Sequence, residues 1–263
     1  MDVIEVQEAL AALGYNPGPI DGIWGSQSKS ACKQFQAANG LTADGIPGPS
    51  TQAALQAATQ GSEGLPARDP MPLVMQRAQR IGHQVWGDPW RLWLFGIRSR
   101  TRTAGTFDDT LGCCWTEGDG IWRSQVWRGT TDPGLKYLQN PMKRAGCAIL
   151  VAGQYLDTWT IDLHSGKYKA LCQRAGDVAV YRDANRDASL DLDPSTISRG
   201  RFGINLHAST RIQGNELEVV GPYSAGCQVH ATEVGFTSMM DLAEKQVANT
   251  GRKTFSYTLL DSW

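Results

Sequence analysis

One short sequence occurs twice near the N-terminus, and it restricts the fold of this region more than any other feature of the chain. Asp21-Gly22-Ile23-Trp24-Gly25 recurs as Asp44-Gly45-Ile46-Pro47-Gly48, and apolar residues at helical spacing follow each copy. A further apolar stripe precedes both copies and consists of Val3, Val6, Leu10 and Leu13. Because glycine accepts the positive φ angles of sharp turns, the repeat predicts two similar loops that each lead into a helix. We therefore expect a small domain of three helices.

The residues in and around the repeat resemble a known family, the three-helix peptidoglycan-binding module. The resemblance covers about residues 3–58 and includes, besides the two copies, Val6-Gln7, Leu10, Leu13-Gly14-Tyr15, Phe35-Gln36 and Gly40-Leu41. It implies a non-catalytic anchor whose partner is bacterial peptidoglycan. Tyr15 and Trp24 are open to two interpretations, either as contacts to the wall polymer or as members of the core.

The character of the chain changes after this module. Residues 61–70 are rich in glycine, proline and small polar residues and have no periodicity, which is typical of a linker. We expect residues 1–60 to form the peptidoglycan-binding domain and residues 71–263 to form a second domain. Short runs of alternating apolar and polar residues predict that the second domain is mainly β, with a few helices. The predicted fold class is thus a multidomain α and β protein.

Two short stretches of the second domain carry candidate chemistry, Gly203–His207 and Ser224–Val229. The alternation of Phe202, Ile204 and Leu206 predicts a strand that places His207 on its polar face. Cys227 follows Gly226, whose missing side chain allows a substrate or another backbone to come close. A thiol attacks carbonyl carbon as the thiolate, so it needs an imidazole or oriented backbone dipoles beside it.

This arrangement resembles the L,D-transpeptidase catalytic domain, over about residues 176–230. The resemblance implies that His207 is the base and Cys227 the acyl acceptor, that the backbone at Ala208 orients the imidazole, and that amides near Gly226 and Cys227 form the oxyanion hole. Ser224 belongs to the same supporting set. The chain departs from the family pattern at Ala225, where a second histidine is usual, and at Gln228-Val229. A run containing Thr131–Gly134, Gly153–Tyr155 and His164 is similar to a phage-associated branch of this fold.

A metal is not required by this chemistry, but one acidic segment raises the question of calcium. Asp183, Asn185, Asp187 and Asp191 place oxygen atoms at positions 1, 3, 5 and 9 of a loop similar to an EF-hand. Ala188 and Pro194 stand where such a loop wants glycine and a bidentate glutamate. The alternatives are a solvated acidic turn between strands, or a turn stabilised by Arg182 and Arg186.

Composition excludes some other functions. The formal net charge of −1 gives no overall basic field for nucleic acid, and no apolar run is long enough for a transmembrane segment. The six cysteines show no zinc-ligand spacing, and the first residues do not resemble a secretory signal peptide. We expect a protein that is made in the cytoplasm without a signal peptide and acts at the cell wall or in the periplasm. Oligomeric state is left open.

The sequence therefore predicts a cysteine-dependent peptidoglycan peptidase or transpeptidase. It would cleave or exchange L,D-peptide bonds of stem peptides through an acyl-enzyme on Cys227, and a lytic, endolysin-type role is favoured. The alternatives are a cross-linking L,D-transpeptidase, a non-catalytic wall-binding protein, and a zinc amidase, which is disfavoured because no HxxxD or HExxH spacing occurs.

Overall fold

The computed structural model describes residues 1–13, 15–20, 22–60, 71–101, 103–209 and 217–261. The chain forms two compact units, residues 1–70 and residues 71–263. The predicted linker, residues 61–70, lies outside the described residues, as do Gly14 and Asp21 of the N-terminal motifs.

The N-terminal unit contains the predicted three helices, α1 (Val3–Ala12), α2 (Ser26–Ala38) and α3 (Pro49–Gln60). Helix α1 begins with a capping box, in which Asp2 and Glu5 each accept the other's backbone N–H. A small apolar core lies between the helices, and its most buried members are Val6, Leu10, Ala31, Cys32, Phe35 and Leu55. Tyr15 and Trp24 pack against this core, which favours their structural interpretation.

Each copy of the repeat is held by a buried glutamine of the preceding helix. Gln7 accepts the N–H of Gly22 at 3.0 Å and donates to Ile23 O at 3.1 Å. Gln36 does the same in the second copy, accepting from Gly45 N–H at 2.8 Å and donating to Ile46 O at 3.0 Å. Both glycines have a positive φ, 76° and 77°. Each loop is thus held on the side chain of a preceding helix, and the turn it needs requires glycine.

The C-terminal unit is mainly β, as predicted, and includes a closed barrel. Its helices are α4 (Leu73–Arg80), α5 (Leu135–Gln139) and α6 (Glu233–Thr250). Its strands are β1 (Trp93–Arg98), β2 (Asp109–Thr116), β3 (Trp122–Thr130), β4 (Cys147–Leu150), β5 (Gly153–His164), β6 (Tyr168–Gln173), β7 (Val178–Asp183), β8 (Ser198–Gly200), β9 (Leu206–Ala208), β10 (Gln228–His230) and β11 (Thr254–Asp261). The order around the barrel is β1-β11-β5-β6-β9-β10-β3-β2, and β4-β7-β8 form a separate sheet.

Helix α6 is delimited by a capping residue at each end. Thr232 caps its first turn by accepting the N–H of Gly235, and Gly251 ends it in the left-handed conformation at φ 71°. Its buried face, which includes Phe236, Met239 and Ala243, joins the core of the barrel unit. Within the described ranges, no helix combines the length and apolar character needed to cross a bilayer.

The strand predicted across residues 202–207 is shorter than its alternation indicates. Only Leu206–Ala208 pair as a strand, and Gly203 has a φ of 74°. The cause is Gln173, whose side-chain oxygen accepts the N–H groups of residues 202, 203 and 204 at 2.9–3.1 Å. Because the Gln173 oxygen accepts three successive backbone N–H groups, these groups need no hydrogen-bond acceptor on a neighbouring strand.

Candidate active site

The turn that carries Cys227 is fixed from within by a serine. Ser224 is fully buried, donates its hydroxyl to Cys227 O at 2.9 Å and accepts the N–H of Gly226 at 3.1 Å. The Gly226 amide is therefore already engaged. Among the described residues, no acceptor is found for the Cys227 N–H, which leaves that amide as an open donor at the turn.

Gly226 is required here by both conformation and space. Its φ is 121°, which residues with a side chain rarely adopt, and a Cβ atom at this position would overlap the carbonyl oxygen of Ala148. Ala148 lies on β4, in the sheet outside the barrel. The turn is thus seated against a second sheet.

The thiol of Cys227 is held between two backbone groups of the loop before β9. Its sulfur accepts the N–H of Asn205 and donates to Gly203 O, each at 3.4 Å. Burial raises the pKa of Cys227 to about 11, and the Asn205 N–H opposes that rise. All six cysteines are free thiols, and only Cys227 is not fully buried. Cys227 is therefore the least buried of the six cysteine residues.

His207 lies on β9, and one of its two ring nitrogens is engaged in a hydrogen bond. Its Nδ1 is 2.9 Å from Ala208 O, and because a carbonyl only accepts, Nδ1 carries the proton. Nε2 is consequently unprotonated and able to act as a base. Burial lowers the pKa of His207 to about 3, with a further contribution from His164. The imidazole is thus neutral at physiological pH.

The strand register places His207 two residues beyond the level of Cys227. Strands β9 and β10 are parallel, with His207 beside Val229. Cys227 and Asn205 immediately precede these two strands. The sulfur contacts Asn205, two residues before the histidine. Within the described ranges, no hydrogen bond joins the imidazole directly to the thiol.

A second histidine lies against the first. The rings of His164 and His207 stack with centroids 4.1 Å apart and planes 22° from parallel. Asn205 donates its amide to His164 Nδ1 at 3.0 Å and accepts the N–H of Gln173 at 2.9 Å, which fixes the orientation of the amide. His164 thus has its proton on Nε2. The spacing in the sequence placed this residue on a polar strand face but did not indicate its contact with His207.

Gln173 was missed altogether by sequence reasoning. It is buried, and its amide nitrogen donates to Gly176 O and Gly200 O, each at 3.0 Å. With the three N–H groups that its oxygen accepts, it fixes the loop whose Gly203 O and Asn205 N–H hold the thiol. The signal available was a polar residue directly after the apolar run Ala170–Cys172, at the end of strand β6.

The residues after and behind Cys227 are structural. Gln228 is fully buried; it donates to Thr131 O at 3.3 Å and accepts the hydroxyl of Tyr257 at 2.9 Å. Gly134, at the end of the Thr131–Gly134 run, donates its N–H to Ser224 O at 2.9 Å. That run therefore supports the Cys227 turn. Gln228 links Thr131 to strand β11.

The two remaining histidines lie elsewhere. His230 is fully buried between Trp127 and Phe236, with Nε2 3.3 Å from the sulfur of Met239. Burial lowers its pKa to about 3. His83 follows helix α4 and closes its last turn by donating its N–H to Ala78 O at 3.0 Å. We interpret both as structural.

Comparisons with known proteins support the N-terminal part of this description. Residues 1–55 match the family described as "Putative peptidoglycan binding domain". The OxPP cycle protein OpcA of Synechocystis sp. is 53% identical over 53 residues, which are 20% of this chain and 11% of that protein. The N-acetylmuramoyl-L-alanine amidase CwlL of Bacillus licheniformis is 45% identical over 60 residues, covering 20% of this chain and 17% of the amidase. The chain thus matches less than a fifth of the length of these curated relatives.

One solved structure covers nearly the whole chain. It is a fused Zn-dependent amidase, peptidase and peptidoglycan-binding domain-containing protein from Clostridium acetobutylicum, with 13% sequence identity, 98% of this chain and 94% of that chain covered. Its TM-score of 0.24 is too low to carry an argument about fold or activity. What these comparisons establish is that the chain carries an N-terminal domain of the peptidoglycan-binding type, on residues 1–55.

Proposed function

We propose that this protein is a peptidoglycan-processing enzyme whose C-terminal unit cleaves L,D-peptide bonds of stem peptides through an acyl-enzyme on Cys227. The observation that carries the proposal is the fixed tautomer of His207. Its Nδ1 donates to Ala208 O, which leaves Nε2 bare, and the pairing of β9 with β10 places His207 beside Val229, two residues after the least buried cysteine. The peptidoglycan-binding domain supplies the substrate class, because it would hold the catalytic unit close to the wall polymer.

The chemistry follows from the resting protonation states. Because the pKa of Cys227 is raised and that of His207 lowered, the resting pair is a thiol and a neutral imidazole. Nε2 of His207 takes the thiol proton as the sulfur bonds to the substrate carbonyl carbon. The carbonyl electron pair moves to oxygen, where the Cys227 N–H is the open donor for the oxyanion. The proton then passes from Nε2 to the leaving amine as the C–N bond breaks.

Water completes the cycle. His207 takes a proton from the water that attacks the thioester, the C–S bond breaks, and the proton returns to the sulfur. If an amine of a second stem peptide replaces water, the product is a cross-link. We favour hydrolysis and an endolysin-type role, in which the enzyme reaches the wall from the cytoplasmic side. The alternative is a transpeptidase, and analysis of the muropeptide products distinguishes it from a hydrolase.

Two other functions compete with this proposal. A zinc amidase would agree with the names of the amidase relatives, but in the described part of the chain no three histidine, cysteine or acidic side chains converge as a metal site. A non-catalytic wall-binding protein is favoured by one observation, that His207 is only 4% exposed and not hydrogen-bonded to the thiol. Catalysis by the pair therefore requires the thiol to leave Gly203 O and to reach His207 Nε2.

The experiment is muropeptide analysis of purified sacculi incubated with the full chain. We expect new cleaved stem peptides, their loss in Cys227→Ala and His207→Gln, and unchanged sacculus binding in both variants. His83→Gln is the matched control, since it removes a histidine far from the turn. Full activity of Cys227→Ala would refute the cysteine mechanism, and activity abolished by EDTA would favour the amidase. New cross-links without cleavage would identify the transpeptidase.

A further inference from the structure

The loop between β7 and the 3₁₀ turn Pro194–Thr196 carries side-chain oxygen atoms at a regular spacing. Alternate residues carry side-chain oxygens over nine positions, and these residues are Asp183, Asn185, Asp187, Ser189 and Asp191. Such spacing directs successive oxygens towards the inside of a curved loop, as calcium loops do.

The first carboxylate of this loop has an unsatisfied atom. Asp183 is 1% exposed; its Oδ2 accepts the N–H of Asp191 at 3.1 Å, across the loop. Its Oδ1 is buried and lacks any hydrogen-bond donor among the described residues. A buried carboxylate oxygen without a partner is costly, and a bound cation is one way to satisfy it.

A weak donor occupies the centre of the loop. The side-chain amide nitrogen of Asn185 donates to Asp187 Oδ2 at 2.9 Å and to Asp191 Oδ2 at 2.7 Å. This N–H group lies between two carboxylates, at the place where a cation would be attracted. Rotation of the amide by half a turn would present the Asn185 oxygen to the same point, and it would break the hydrogen bond that this oxygen accepts from the Asp187 N–H at 3.1 Å.

The two neighbouring arginines do not neutralise these carboxylates. Arg182 stacks on the ring of Phe202, with its guanidinium carbon 4.4 Å from the ring centroid. No ion pair of Asp183, Asp187 or Asp191 is found in the described part of the chain. The alternative of an acidic turn stabilised by arginine is therefore not what the structure contains.

We propose that this loop binds one Ca²⁺ ion through side-chain oxygens of Asp183, Asn185, Asp187 and Asp191. The carbonyl of Ser189, at the seventh position, and water would complete the six to eight oxygens that calcium takes. The left-handed residue of the loop is Arg186, at φ 67°, in place of a glycine at position 188. A bidentate glutamate is also replaced, by Pro194. With this reduced set we expect weak binding, with a Kd on the order of 10⁻⁴–10⁻³ M, as in extracellular modules.

Binding requires the loop to close on the ion. Among the described residues no three acidic side chains already converge as a coordination sphere. Asp187 is exposed and Asp191 half-buried, so both side chains can turn inwards once the Asn185 amide rotates. Asp183 is the fixed point, because it ends β7.

The position of the loop links it to the Cys227 turn. Asp183 is paired with Cys147 on β4, and the next residue of β4 is Ala148, whose carbonyl abuts Gly226. Cys147 also directs its thiol towards Ala225 O at 3.8 Å. An ion that fixes Asp183 would therefore stabilise the sheet on which the turn rests. The calcium proposal itself does not depend on the proposed function.

The test uses the full chain after treatment with a chelator. Isothermal titration with CaCl₂ should give one site, and millimolar Ca²⁺ should raise the Tm more than the same concentration of Mg²⁺. Asp187→Asn and Asp191→Asn should each weaken binding at least tenfold, because each removes a charge from the ligand set. Asp241→Asn, on the exposed face of α6, is the control with the same change of charge and should bind normally.

Terbium luminescence provides a second measurement that is independent of enzyme activity. We expect saturable Tb³⁺ emission that Ca²⁺ displaces, and its loss in both loop variants. Absence of heat and of a Tm shift at several millimolar Ca²⁺ would overturn the proposal. Binding that persists equally in both variants would also overturn it, since the ion would then lie elsewhere.

Discussion

The imidazole of His164 stacks on that of His207 at a centroid distance of 4.1 Å, although β6 separates their strands in the barrel. Because two adjacent imidazoles disfavour charge on either ring, the stack contributes to the neutral state of His207.

Replacing His164 should therefore change the titration of His207. Burial is the main cause of its lowered pKa and His164 the next, so His164→Leu should raise that pKa without restoring the ordinary value. The check is an NMR titration of the His207 ring, or the acid limb of kcat/KM, which should move to higher pH. His83→Leu should leave both unchanged. An unmoved His207 titration would show that the stack has no electrostatic role.

The thiol of Cys227 should behave as an ordinary, unionised thiol. With its pKa raised to about 11, the thiolate fraction increases about tenfold per pH unit between pH 6 and 9. Alkylation of the native protein by iodoacetamide should rise with the same slope and label this single cysteine, as mass spectrometry would show. A rate that is flat across this range would instead indicate a preformed thiolate–imidazolium pair.

Gln173 is expected to position the site through the loop of residues 202–204. Gln173→Leu removes one acceptor and leaves three backbone N–H groups unpaired, which should cost about 2–4 kcal/mol of unfolding free energy. Below the melting temperature, kcat should still fall at least tenfold, because the backbone groups that hold the thiol shift. Gln154→Leu is the matched control, since its amide bonds Gln84 O and Thr258 far from the turn. Equal kcat in both variants would remove the positioning role.

Gly226→Ala should be among the most damaging substitutions in the unit. The added Cβ meets Ala148 O and the backbone has a φ of 121°, so we expect a loss of about 3–5 kcal/mol in urea unfolding. Gly166→Ala provides the comparison, because Gly166 also has a positive φ, 71°, but nothing lies within 4 Å of its Cβ position. That variant should lose about 1 kcal/mol. Similar losses in the two would mean that the approach of β4 is not restrictive.

Acid should destabilise the fold through His230. Its pKa is about 3 in the folded protein and about 6.5 in an unfolded chain, so the unfolded state binds an additional proton between these values. Stability is therefore lost as pH falls from about 6.5 towards 3, by about 1.4 kcal/mol per pH unit. His230→Leu should reduce the slope of unfolding free energy against pH by about that amount. Identical slopes would contradict a buried, neutral His230.

The sequence predicted the local features well because they depend on neighbouring residues. The cap at Thr232 and the glycine at 251 delimit α6, and the repeated Asp-Gly-Ile loops accompany three helices in the N-terminal unit. The alternation of Trp159, Ile161 and Leu163 corresponds to β5.

Features that depend on distant side chains could not be read from the sequence. Alternation across residues 202–207 indicated a strand, but Gln173 binds the backbone there and prevents it. The stacking of His164 on His207 follows from the order in which the barrel closes. The roles of His207, Cys227, Ala208, Ser224 and Gly226 stay predictions, with the Gly226 amide engaged by Ser224 and the Cys227 amide open.

The contact between Gly226 and Ala148 has a consequence for anyone who would transplant this site. Suppose that Ser224–Cys227 and His207 were grafted into a different β scaffold. The graft would then lack the β4 backbone against which the turn packs. The graft would therefore also have to include strand β4 and its partner strand β7. The smallest unit that preserves this turn therefore spans two sheets, and substitutions in β4 or β7 should alter the conformation at Cys227.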